Sequence, residues 1–340
     1  MTAENRLKNS VDGEVSGLNL DDAVLAVDNL RTYFFTRDGV VKAVDGVGFA
    51  VNRKETLGLV GESGCGKTMT CLSILGLVPR PGRIVGGKVL LNGENLVNKS
   101  EKEMARIRGC RLTMIPQDPM TSLNPVLSIG SQVAEAIRIH QHLRGTRLYR
   151  KTVDILRLVK IPSPEMRLQD FPHQLSGGMR QRVVGAAALS CQPELLIADE
   201  CTTALDVTIQ AQYLNLLKEV QEALQVAVIF ITHDLGIVAK MCDRVAVMYA
   251  GKIVESAPMK TLFHNPLHPY TQALLKSLPK LNAPQKWLAT IEGQPPSLLN
   301  LPPGCSFEPR CNRARRRCRS EYPPTIEMDQ AHTVACWQAN

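Results

Sequence analysis

An α/β fold around a parallel sheet is what this 340-residue sequence predicts, on three observations. A glycine-rich loop sits between a short apolar strand, residues 56–60, and a helix expected over residues 68–77. Two further apolar runs, residues 195–198 and 226–231, are unbroken by polar side chains, the pattern of strands buried on both faces of a parallel sheet. Helical segments, residues 183–190 and 209–224, precede each run, which gives the strand–helix alternation of βαβ units.

The remaining elements follow in chain order. Residues 1–22 are polar and mixed in charge and read as a flexible tail. Residues 23–51 alternate apolar and polar side chains, with Asp38-Gly39 and Asp45-Gly46 as turn signals, and predict antiparallel strands. Residues 79–87 read as a loop. Residues 88–91 with Asn92-Gly93 form a hairpin signal, and residues 111–115 form another strand. From 131 to 159 the pattern turns helical, interrupted near Arg144-Gly145. Beyond Asn265 come many prolines, short helices and a cysteine cluster. No internal repeat is present, so the core occurs once.

Composition excludes some classes of function. Hydrophobic residues make up 44%, enough for a large core. No apolar run approaches the roughly 18–20 residues that cross a bilayer, and the N-terminus has neither a signal-peptide nor a transit-peptide pattern. The expectation is a cytosolic chain that does any membrane work through partners. The formal charge of +8 suits a protein that handles phosphates or meets an anionic surface, and equally an ordinary solubilising charge. Of ten cysteines, Cys65, Cys71, Cys110, Cys191, Cys201 and Cys242 are scattered, whereas Cys305, Cys311, Cys318 and Cys336 crowd the C-terminal end.

Two motifs carry nucleotide chemistry. Gly61-Glu62-Ser63-Gly64-Cys65-Gly66-Lys67-Thr68 matches the phosphate-binding P-loop in full, with Met69 following it into the helix. Its glycines let backbone N–H groups curl around phosphates, and the helix N-terminus adds positive potential. Lys67 reaches the terminal phosphates and Thr68 can ligate Mg²⁺. The run at 195–198 ends in Asp199 and Glu200: the first can hold the Mg²⁺ shell, the second can orient and deprotonate water. Together they predict an NTPase.

Leu175-Ser176-Gly177-Gly178-Met179-Arg180-Gln181 resembles the signature of the ATP-binding cassette (ABC) family, and it precedes the Asp199-Glu200 strand as it does there. The resemblance implies a RecA-like P-loop ATPase domain with an antiparallel β-subdomain near 23–110 and a helical subdomain near 119–180. It also implies that Ser176, Gly177 and Gly178 meet the γ-phosphate of ATP bound to a second ATPase subunit. Gln117, in Met114-Ile115-Pro116-Gln117, is similar to the family's Q-loop glutamine, a Mg²⁺ contact. Ala204-Leu205-Asp206 is similar to the D-loop and His233 to the switch histidine. Phe34 falls where the family stacks an aromatic on adenine, with Tyr33 the neighbouring alternative. Cys201 departs from the family's usual proline after the glutamate. Cys65 places a thiol at a helix N-terminus, where thiol pKa values fall, so its alkylation is expected to inhibit hydrolysis and ATP to protect it.

The C-terminal end narrows the family. Phe263-His264-Asn265-Pro266-Leu267-His268-Pro269-Tyr270 and the stretch from Pro303 to Cys318 resemble the oligopeptide/dipeptide importer subfamily, which sets 23–262 as the ATPase domain and 263–340 as a subfamily extension. This implies two transmembrane permease subunits, a second ATPase that is either an identical copy or a paralogue, an extracytoplasmic solute-binding protein, and a place on the cytoplasmic membrane face. No nucleic-acid partner is expected. Di- and oligopeptides are the implied cargo, with nickel chelates or sugars as alternatives. A soluble ABC ATPase of translation or repair is the rival class, but those chains carry two cassettes or long coiled coils. The cysteine spacing C-x5-C-x6-C-x17-C fits neither a zinc ribbon nor a bacterial ferredoxin. The resemblance favours a [4Fe–4S] cluster over Zn²⁺ or free thiols. Six arginines from Arg310 to Arg319 would offset its negative charge, or form a solvated basic face.

Overall fold

The computed structural model describes residues 22–203, 205–278, 290–329 and 331–339, without the side chains of residues 119 and 120. The tail expected over residues 1–22 lies, but for Asp22, outside the described residues, as does Ala204. The strands in chain order are β1 (Ala23–Thr36), β2 (Gly39–Asn52), β3 (Thr56–Val60), β4 (Gly82–Leu91), β5 (Glu94–Asn95), β6 (Leu112–Ile115), β7 (Leu195–Asp199), β8 (Ala227–Ile231), β9 (Arg244–Tyr249), β10 (Lys252–Pro258), β11 (Ile326–Asp329) and β12 (His332–Val334). The chain divides into two compact units: residues up to Val51, Leu57–Asn98 and everything from Thr232 form one, while Asn52–Thr56 and Lys99–Ile231 form the other.

In the first unit, one sheet has the order β2-β1-β4-β5, with β1 antiparallel to β4 and β4 to β5. The Asn92-Gly93 turn is as expected. Both residues have positive φ, 46° and 80°, as a two-residue hairpin matching strand twist requires. Two glycine readings were misleading. Gly46 lies inside β2 at φ 78°, an irregularity in the strand and not its end. Residues 82–87 are strand and not loop, because their glycines make room for β1: Gly82 faces the Phe34 ring, and a Cβ on Gly87 would strike the backbone of Asn29.

The second set of strands in this unit runs β11-β12-β10-β9-β3. β3 and β9 are parallel, while β9, β10 and β12 alternate in direction. The C-terminal extension thus enters the sheet, with Glu255 opposite Val334. Short helices were expected there, and Pro269–Lys276 is one. The strands β11 and β12, of four and three residues, are too short to show an alternation in sequence.

In the second unit, β6, β7 and β8 run parallel, with Leu112 opposite Leu195 and Leu195 opposite Ala227. Every residue of β7 and β8 is buried, as their unbroken apolar runs predict. Helices Ile129–His140 and Gly145–Leu158 flank the expected interruption. Helix Val207–Leu224 buries Tyr213, Leu214, Leu216, Leu217 and Val220, a stripe at helical spacing.

Candidate functional site

The phosphate loop is shaped by glycine where no other residue fits. Gly61, Gly64 and Gly66 take φ of 154°, 77° and 108°. A Cβ on Gly61 would collide with the Met248 carbonyl oxygen, and one on Gly66 with that of Ala43. The loop ends in helix Lys67–Ile74, whose first N–H groups have no side-chain cap. Such unpaired donors are what an anion meets at a helix start. Lys67 is 6% exposed, and its Nζ donates to the carbonyls of Gly61 and Glu62 at 2.8 and 2.9 Å. Thr68 stands exposed on the first turn, Ser63 and Gly64 are exposed, and Met69 is half-buried.

Cys65 departs from the lowered pKa that its place at a helix N-terminus predicts. It is 5% exposed, and burial pushes its thiol up, outweighing the pull of the Lys67 ammonium 3.7 Å away. Desolvation of the thiolate overrides the helix terminus.

Tyr33 and Phe34 are neighbours on one strand and so address opposite faces. The Tyr33 hydroxyl donates to Asp45 Oδ1 at 2.6 Å, and burial with that acceptor raises its pKa to about 12. Phe34, half-buried, lies over Gly82, so its ring keeps an unsubstituted backbone beneath it.

In the other unit, β7 delivers Asp199 at 2% exposure. Glu200 follows at φ 43°, its N–H donating to Ile231 O at 3.0 Å. Gln117 Nε2 donates to Glu200 Oε2 at 3.0 Å, which ties the loop after β6 to the residue after β7. A proline after Glu200 would bias it toward extended backbone, and Cys201 removes that bias. Cys201 is itself buried, its pKa pushed up to about 12 by desolvation. Ser176 caps helix Gly177–Leu189, accepting from Met179 N at 3.4 Å. A Cβ on Gly177 would meet nothing, whereas one on Gly178 would press on Ile209. Asp206 caps helix Val207–Leu224 through the N–H groups of Thr208 and Ile209, at 3.1 and 3.0 Å. His233, in the first unit, is exposed before the cap residue Asp234.

Cys305, Cys311, Cys318 and Cys336 line one recess together with His268 and Trp337. Desolvation, then mutual repulsion among these sulfurs, pushes Cys305 up to about 11. Among the described residues, no three His, Cys, Asp or Glu side chains stand in an arrangement that holds a metal ion. The arginine run is not a uniform basic face. Arg319 pairs with Glu308, Arg317 pairs with Glu321 and stacks on Trp337 at 3.6 Å, and Arg310 reaches Glu62 in the phosphate loop. Sequence reasoning missed Arg310 and Tyr270 as neighbours of the loop, since only folding brings the chain's end to it.

This arrangement defines the class: a P-loop ATPase with a signature turn. The model of the family described as ABC transporter matches residues 44–203, and that described as oligopeptide/dipeptide transporter, C-terminal region, matches 254–318. The chain is 50% identical to the probable peptide ABC transporter ATP-binding protein y4tR of Sinorhizobium fredii, over 94% of this chain and 96% of that one. It is 49% identical to the dipeptide transport ATP-binding protein DppD of Bacillus subtilis, over 93% and 95%. A dimeric ATP-binding cassette, MJ0796, solved with ADP and phosphate, shares the fold at a TM-score of 0.62 and 22% identity, over 69% of this chain and 98% of that one. The chain belongs to the ABC transporter family, as an ATP-binding subunit of its oligopeptide/dipeptide branch. No described helix is long and apolar enough to cross a membrane.

Proposed function

We propose that this chain binds and hydrolyses ATP to power the uptake of di- and oligopeptides through a membrane permease. The observation that carries the reading is the phosphate loop and carboxylate set joined in one chain to the peptide-branch C-terminal region. In this reading the loop residues 61–69 and the signature residues Ser176, Gly177 and Gly178 bind nucleotide, with Phe34 stacking on the adenine and Tyr33 held aside by Asp45. Thr68, Gln117 and Asp199 hold Mg²⁺. Glu200 orients and deprotonates the water, His233 steadies the γ-phosphate, and Asp206 lies at the subunit junction.

The partners are two permease subunits, a second ATPase and a solute-binding protein, with the chain at the cytoplasmic face of the membrane. Exposed Val126, Leu127, Ile139, Met166 and Phe171 in the helical region support contact with an apolar partner surface. We further infer that the tail cysteines hold a [4Fe–4S] cluster in preference to Zn²⁺. The reading rests on the donor set alone: four thiols line one recess, though not in an arrangement that already holds a metal ion, and Cys318, Cys336 and Cys311 disfavour the Cys305 thiolate until positive iron is among them. The cluster's contribution would be structural, since ATP hydrolysis transfers no electron. Anaerobic preparations should carry about four iron per chain; a colourless, iron-free and fully folded preparation would remove the cluster.

Two experiments test the reading. Glu200→Gln should bind ATP while turnover falls by about 10²–10⁴-fold, and near-normal turnover would reassign the base. Affinity capture from native membranes should recover two multi-span permeases. Recovery with ribosomes or DNA would keep the ATPase and discard the transport.

A further inference from the structure

Glu62 places a carboxylate in the loop proposed to bind a triphosphate, and like charges held in one loop oppose binding. The structure deals with that charge through a residue far away in sequence. Arg310 grips the carboxylate with a two-pronged fork, Nη1 to Oε2 at 2.8 Å and Nη2 to Oε1 at 3.1 Å. The other three N–H groups are also engaged: Nε with Glu292 O at 3.0 Å, Nη1 with Tyr249 Oη at 3.3 Å, and Nη2 with Ile291 O at 3.2 Å. All five donors of the guanidinium are satisfied, and the side chain is 5% exposed. A buried cation of this kind holds one geometry.

The grip extends to the backbone. The Glu62 N–H donates to Tyr270 Oη at 2.9 Å, and Tyr270, with no exposure, is packed against Tyr249 and Phe307 at ring distances of 4.6 and 5.4 Å. The Glu62 carbonyl in turn accepts from Lys67 Nζ. The C-terminal extension therefore holds, by side chain and by main chain, the residue on which the phosphate-binding lysine rests. We propose that Arg310 is a positioning residue for ATP binding, which fixes the phosphate loop through Glu62 and cancels that residue's charge.

This rests on residues 61–68 being the ATP site, and the test separates the two. The measurement is equilibrium binding of a fluorescent ATP analogue with Mg²⁺ to the purified full chain, alongside its thermal unfolding. Arg310→Ala should weaken binding about tenfold, as an uncompensated charge beside the phosphates would. Glu62→Gln added to Arg310→Ala should restore most of the loss, because the repelling charge is then gone. A mere staple for the extension would lower the unfolding temperature without changing affinity below it, and Glu62→Gln would rescue nothing; either result overturns the proposal. If Arg310→Ala does not fold, Arg310→Lys carries the test. It keeps a cation without the fork and should bind about threefold more weakly, and wild-type affinity there also overturns the proposal. Wild-type chain that binds no better than Lys67→Ala would strike the loop reading instead.

Discussion

The phosphate loop and the signature turn are both glycine-rich, and both open a helix, yet they are built in opposite ways. In the loop, Gly61, Cys65, Gly66 and Lys67 are buried, and Cβ atoms at 61 and 66 would collide with main-chain oxygens of the same unit. At the turn, Ser176 and Gly177 are exposed, and a Cβ on Gly177 would meet open space. Glycine is demanded at 66 by this chain's own backbone. At 177 nothing in the chain's own surroundings demands it, so the requirement comes from whatever approaches. The first site is shaped from within; the second is open, and in the function proposed above its donors meet ATP on a second subunit.

The largest effect should come from adding one methyl group to the interior site. Gly66→Ala imposes φ 108° on a residue with a Cβ and drives that atom into the Ala43 carbonyl. We expect nucleotide binding to the chain to be lost and stability to fall by at least about 1–3 kcal/mol. Calorimetry with ATP and chemical denaturation measure both. Normal binding would mean that the loop is less constrained than its contacts imply.

The same methyl at the exposed turn is the sharper half of the comparison. Gly177→Ala should leave the chain's unfolding free energy within about 0.5 kcal/mol of wild type, with ATP affinity of the single chain unchanged. Hydrolysis by the assembled transporter should fall by an order of magnitude or more, as for loss of a preorganised anion contact. Full turnover in the assembly would show that no phosphate comes within reach of Gly177. Destabilisation of the free chain would show that the turn is packed after all.

These two sites were legible in sequence to different depths. The P-loop, Asp199, Glu200 and the signature are local patterns, and strand burial follows from unbroken apolar runs, so both could be read without coordinates. The Gln117–Glu200 hydrogen bond was not expected: the resemblance implied only a Mg²⁺ contact for Gln117, and no local spacing encodes a bond between residues 83 positions apart. Glycines misled where they shape a strand and do not end it: Gly46 takes φ 78° inside β2, and Gly82 makes room for the Phe34 ring. The link from Arg310 and Tyr270 to Glu62 had no signal at all. It joins residues more than 200 positions apart, and an arginine within a basic run looks like any other.

The smallest effect concerns thiols. Burial raises the Cys65 pKa, so at neutral pH the group is almost wholly thiol, and the nucleophilic thiolate is both scarce and inaccessible. A cysteine placed at the exposed turn by Ser176→Cys lacks that penalty while sharing a helix N-terminus. In one Ser176→Cys preparation, alkylated with N-ethylmaleimide at pH 7.5 and mapped by mass spectrometry, position 176 should react about tenfold faster than Cys65 or more. Above the pKa of the cysteine at 176 its thiolate fraction saturates, while that of Cys65, whose pKa burial raises, still climbs, so the gap should narrow from that pH upward. Equal rates at neutral pH would mean that the loop opens to solvent often enough to expose its interior, and the contrast between a closed and an open anion site would then be one of degree.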